Sequence, residues 1–136
     1  MPKSNYNACK MAYTTKPPSE HEEQKALFDW ARLAQGVFPE LRMMAAVPNG
    51  GLRTKAVAGK LKAEGVKAGY PDIVLDVARG GYHGMRIEMK SATGRTSPEQ
   101  KSWLADLVRE GYHAVVCHGF EEAQAAIVKY LQLGKK

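Results

Sequence analysis

The sequence predicts an α/β domain in which helices cover a mixed β-sheet. Segments with apolar residues every three to four positions alternate with short β-rich runs, in the order α-β-(α)-β-β-α-β-α. Turn or cap residues punctuate each junction. The length, 136 residues, suits one core and leaves no room for a second folding unit.

Residues 1–18 mix polar residues with Pro17-Pro18 and show no period, so they are expected to form a flexible arm ahead of a folded domain at 19–136. Ser19 is a helix N-cap, and Glu22 three residues later suggests a capping box. This helix runs to about Gln35, with Gly36 as its stop. Leu27, Trp30, Ala31 and Ala34 mark its buried face. At 100° per residue Glu20, Glu23 and Gln24 fall near that face, while Glu22 points away.

Met43 to Val47 reads as a strand closed by the turn Pro48-Asn49-Gly50-Gly51. Thr54 to Glu64 is a basic helix stopped by Gly65. Tyr70 to Val77 and Gly84 to Ser91 form a hairpin around Arg79-Gly80-Gly81. Ser97-Pro98-Glu99-Gln100 starts the next helix, with Ser97 as cap, Pro98 at the first position and Gln100 completing a capping box. Trp103, Leu104, Leu107 and Val108 are its apolar face, and Gly111 ends it. Tyr112 to Cys117 is a strand, and Phe120 to Leu131 the last amphipathic helix.

Composition excludes several classes. No apolar run nears the roughly 20 residues of a membrane span, and the N-terminus lacks the apolar centre of a secretory signal, so a cytoplasmic location is expected. Cys9 and Cys117 make no disulfide framework or zinc site, and Cys117 is expected to be buried and free. The histidines form no metal-binding pair at helical spacing. The net charge of +6 permits a polyanionic partner. Arg53, Lys55, Lys60, Lys62 and Lys67 crowd one stretch against Glu64 alone.

The chemistry lies in GYPDIVLDVARGGYHGMRIEMKSA. Alternation in its second strand puts Met85, Ile87 and Met89 on the core face and Arg86, Glu88 and Lys90 on the other, with Glu88 and Lys90 about 7 Å apart. The hairpin can bring Asp72, at the start of the partner strand, beside Glu88. Two such carboxylates repel, and a divalent cation removes that cost. An oxygen-only set suits Mg²⁺. Lys90 there can hold the attacking water or stabilise charge on a phosphate.

Pro71-Asp72 followed by Glu88-x-Lys90 at the end of a hairpin resembles the PD-(D/E)xK nuclease superfamily. More closely, the chain resembles the virus-type replication-repair nuclease (VRR-NUC) domains of phages and bacteria, related to the nuclease domain of the Fanconi-associated nuclease. SEHEEQ, PNGG, GYPDI, IEMKS, SPEQKSWL and GYHAVVCHG carry the resemblance, over roughly residues 19–118. It implies a restriction-endonuclease-like fold and Mg²⁺-dependent hydrolysis of DNA phosphodiesters, with Mn²⁺ able to substitute.

Asp72, Glu88 and the Met89 backbone carbonyl would ligate the metal. Lys90 would act on the water or scissile phosphate, and a first-helix glutamate, Glu20 with Glu23 in reserve, would complete the site. Gln100 matches a polar position of the family. Asn49, Gly50 and Gly51 resemble a turn beside the active site, and the basic stretch from Arg53 to Lys67 becomes a DNA-facing surface. The resemblance further implies selectivity for branched DNA such as four-way (Holliday) junctions, a DNA-repair type of task, a homodimer, and the host cytoplasm if phage-encoded. The alternatives are a nicking or flap nuclease needing partners, an RNA-directed nuclease, and a DNA-binding module without catalysis.

Overall fold

The computed structural model describes residues 16–48 and 54–135. The PNGG turn beyond Pro48, Arg53 and the arm before Lys16 lie outside these residues. The elements are α1 (Glu20–Ala34), a 3₁₀ turn (Pro39–Met43), β1 (Met44–Ala46), α2 (Lys55–Ala63), β2 (Ile73–Leu75), β3 (Met85–Lys90), α3 (Pro98–Arg109), β4 (His113–His118) and α4 (Phe120–Leu131). The strands form one mixed sheet in the order β1-β2-β3-β4, antiparallel except for the parallel β3–β4 pair. A β-α-β crossover through α3 makes that parallel pairing possible.

Ser19 accepts from Glu22 N, but its hydroxyl turns to the Glu22 carboxylate, so only half of the expected capping box forms. At Ser97 the reciprocal box with Gln100 is complete. Thr54 caps α2, a helix with no buried residue. The 3₁₀ turn was not expected. It is a single short turn started by Pro39, too brief to leave a periodic signal.

The core lies on one side of the sheet. Leu27 and Ala31 of α1 and Ala123, Ile127 and Leu131 of α4 pack with Ile73, Leu75, Met85, Ile87 and Met89. Trp30 and Ala34 pack at its margin. Ile73 and Ile87 face each other across the β2–β3 rung and are wholly buried, each contributing about 2 kcal/mol of apolar burial. Cys117 is buried and free, and burial pushes its thiol up to about 11. The Tyr130 hydroxyl donates to Val77 O at 2.6 Å.

The opposite face of β3 is also covered: Gln100 at the start of α3 meets Glu88, Tyr70 and the Tyr112 ring meet Arg86, Gly94 rests on Lys90, and all six residues of β3 are buried. α3 itself buries no residue fully. Trp103, Leu104 and Leu107 are half-buried, whereas Val108, expected on the apolar face, is 56% exposed. Among the described residues no helix is long and apolar enough to cross a membrane.

Candidate active site

β2 is shorter than the sequence suggested, so Asp72 precedes it instead of starting it. The register nonetheless carries the hairpin forward: Ile73 pairs with Ile87, which sets Asp72 level with Glu88. The Asp72 backbone carbonyl accepts from Val47 N at 2.7 Å. Its side-chain Oδ2 accepts from Met89 N at 2.8 Å.

Pro71 is buried and, lacking an N–H, has nothing to donate to β3 beyond the Ile73–Ile87 rung. The Met89 N–H is taken by the Asp72 side chain instead of a ladder carbonyl.

Glu88 is 1% exposed. Its Oε1 accepts from Gln100 Nε2 at 2.9 Å and lies 3.6 Å from Lys90 Nζ. Its Oε2 is buried without a hydrogen-bond partner. Burial, then the charge and contact of Asp72, push the Glu88 carboxyl well above the ordinary carboxylate range, against the pull of Lys90. Gln100 uses both ends of its amide: the oxygen accepts from Ser97 N, closing the helix cap, and the nitrogen holds Glu88.

The two first-helix glutamates separate cleanly. Glu20 joins the cluster electrostatically: burial and then Asp72 raise its pKa, opposed by Lys90. No hydrogen bond ties it to either residue among the described ones. Glu23 has another task. It accepts from the Phe120 backbone N–H, and its carboxylate lies against Gly119, the N-cap of α4, which has no side chain to cap with. Glu23 thus caps a helix distant in sequence and leaves the reserve position.

The residues fit a hard divalent cation. Donors are oxygens only, one buried carboxylate oxygen has no partner, and neighbouring carboxylates repel. Among the described residues no three acidic, histidine or cysteine side chains enclose an ion unaided. Two carboxylates and a carbonyl, completed by water and phosphate oxygens, is the ordinary magnesium arrangement.

The model of the VRR-NUC domain family matches residues 17–121 of this chain. The chain belongs to the VRR-NUC family. A solved structure described as a VRR_NUC domain protein has 36% identity and a TM-score of 0.76, covering 88% of this chain and 93% of that one. No match is found among curated proteins. VRR-NUC domains are nucleases of the PD-(D/E)xK type, and the mixed sheet with its helical layers agrees with that fold.

Within this VRR-NUC domain, Glu20, Asp72, Glu88, Lys90 and Gln100 come together at one end of the hairpin. Lys55, Lys60, Lys62 and Lys67 are exposed on and after α2. Asn49, Gly50 and Arg53 fall outside the described residues. The sequence reasoning missed the Asp72 side-chain bond to the Met89 N–H, and it missed Gly69. Gly69 has φ of +82°, and a Cβ there would meet Glu99 Cβ at 2.7 Å and Gln100 N at 2.9 Å. The first turn of α3, with Gln100, sits where it does because residue 69 has no side chain. The phrase Gly69-Tyr70-Pro71-Asp72 carried the signal, but only register and contact give it meaning.

Proposed function

We propose that this VRR-NUC domain is a magnesium-dependent DNA endonuclease, selective for branched DNA such as four-way junctions and active as a homodimer. The observation that carries the hydrolytic part is the buried Glu88 carboxylate, held by Gln100 and Lys90, with one oxygen left unpaired beside Asp72. Asp72, Glu88 and the Met89 carbonyl would hold the ion, with Glu20 reaching it through water. Bound there, Mg²⁺ would offset the carboxylate charge and act as a Lewis acid toward phosphate and water; Mn²⁺ favours the same ligands.

The chain's own groups do the rest. Gln100 fixes the rotamer of Glu88. The Lys90 ammonium is 9% exposed at the residue level, so it is little screened. It orients the attacking water and meets the charge that builds on the phosphate. Water attacks phosphorus in line, the bond to the 3′ oxygen breaks, and the products carry 5′-phosphate and 3′-hydroxyl ends. The exposed lysines of α2 neutralise backbone phosphates. Two sites in a symmetric dimer match the near-twofold symmetry of a junction.

The test uses matched labelled DNAs (a four-way junction, a flap and a plain duplex) with Mg²⁺, Mn²⁺ or EDTA, and Glu88→Ala as control. Metal-dependent cutting of the junction, absent in the variant, is expected. Equal cutting in EDTA, or full activity of Glu88→Ala, overturns the proposed site; preference for the flap overturns the junction assignment.

A further inference from the structure

β3 passes into α3 through residues 91–97, Ser-Ala-Thr-Gly-Arg-Thr-Ser. Both ends of this loop are fixed to Glu88: Lys90 precedes it, and Gln100 follows in the turn that Ser97 caps. Its middle is fixed as well. Gly94 N donates to Ser91 O at 3.1 Å, closing a turn. Gly94 O accepts from His118 Nε2 at 3.1 Å, so that nitrogen carries the proton. Gly94 also rests on Lys90, since a Cβ at Gly94 would stand 3.4 Å from Lys90 Cβ and Cδ. His118 pairs with Lys90 in the β3–β4 register. One rung of the sheet thus sets both the lysine and the anchor of the loop above it.

Arg95 is exposed on this loop. Arg32, Arg79, Arg86 and Arg109 each face a carboxylate. Arg95 has no hydrogen bond or ion pair among the described residues. Arg42 is also exposed, but it precedes the Met44–Leu75 end of the sheet, away from Asp72. The Arg95 Cα follows that of Gly94 by about 3.8 Å, which places its side chain within reach of the space beside Lys90. A planar guanidinium with its donors unspent matches two oxygens of one phosphate.

We infer that Arg95 binds a DNA backbone phosphate neighbouring the scissile one, and that His118 is the positioning residue that holds the 91–97 loop, and so Arg95, over Lys90. The inference rests on the nuclease reading, and it adds a substrate contact outside the metal site and outside α2. Arg95 reads no base here; it fixes the register of the strand on the site.

The experiment measures binding of a labelled four-way junction by anisotropy, with Ca²⁺ in place of Mg²⁺, across a salt series. Single-turnover cleavage in Mg²⁺ follows. Arg95→Ala is expected to melt like the wild type and to bind about tenfold more weakly at low salt. Its slope of log K against log salt should be shallower by roughly 0.9, the loss of one phosphate contact. Arg95→Lys keeps the slope and loses part of the affinity. His118→Ala weakens binding, and the double variant Arg95→Ala/His118→Ala is no weaker than Arg95→Ala alone, a non-additivity that a purely structural histidine would not give. An unchanged slope in Arg95→Ala overturns the phosphate contact, and additive losses overturn the role of His118. A wild type that binds the junction but cuts nothing overturns the nuclease reading, while the slope still decides Arg95. Absence of binding overturns both.

Discussion

Glu20 and Glu23 lie three residues apart on one helix and should fail in opposite ways. Glu23→Ala removes the acceptor for Phe120 N–H, a cap interaction of about 1 kcal/mol. It also removes a negative charge from the N-terminus of α4, worth about 1 kcal/mol at a partly buried position. The sum is about 2 kcal/mol. An unfolding entropy of roughly 2.1 cal/mol/K per residue, over 136 residues, makes that a fall in Tm of about 7 °C. Glu20→Ala should behave otherwise. A carboxyl whose pKa is raised in the fold is one the fold disfavours as an anion, so its removal at neutral pH relieves a burial cost that the pull of Lys90 only partly offsets. The Tm of Glu20→Ala in EDTA should equal or exceed that of the wild type, while cleavage in Mg²⁺ is lost. Thermal unfolding followed by circular dichroism, paired with single-turnover cleavage below the lower Tm, separates the two. If Glu20→Ala melts several degrees lower and cuts normally while Glu23→Ala melts like the wild type, the assignment is reversed and the reasoning fails.

Asp72→Asn should remove the rise in Tm that Mg²⁺ gives the wild type and abolish cleavage; a preserved rise would move the ion elsewhere. Lys90→Ala should keep that rise yet slow single-turnover hydrolysis by about 10²-fold or more, and normal turnover would take Lys90 out of the chemistry. Gly69→Ala should cost about 2 kcal/mol or more in chemical denaturation, from a strained φ and a collision with the first turn of α3; wild-type stability would contradict the close approach. His113, stacked on Tyr130, has its pKa lowered by burial and then by Lys129. The unfolded chain therefore takes up this proton first, so His113's contribution to stability falls as pH drops below about 6.5, against the opposite trend of Glu88 and Glu20, whose raised pKa values add stability on acidification. In urea titrations His113→Gln should gain stability relative to the wild type as pH goes from 7 to 5, and a difference that stays constant with pH would refute it.

What was legible in the sequence is what depends on neighbours in the chain. Ser97, Pro98 and Gln100 announce the start of α3 because a cap is a local device, and alternation from Met85 to Lys90 announces which side chains share a face. The basic helix reads correctly at Thr54 and Gly65 for the same reason. The rest depends on register and packing. Glu23 leaves the site only because Gly119, far along the chain, brings a helix terminus within its reach. Gln100 serves Glu88 as well as its own cap because Gly69 lets α3 approach. Val108 has the right spacing for a buried stripe, yet α3 leaves it in water.

The pairing of β3 has a kinetic consequence. β2 and β3 are joined by residues 76–84 alone, so Asp72, Glu88 and Lys90 can assemble early. The parallel rungs from Met85–His113 to Lys90–His118 close only after the chain has wound through α3, a non-local step that folds slowly. Glu20 comes from still farther away, on a helix that packs against α4. An intermediate with the hairpin formed and β4 undocked would present the two carboxylates and the lysine without Gln100. Nuclease competence is therefore expected to appear in refolding only with the last phase, after most β-structure has returned.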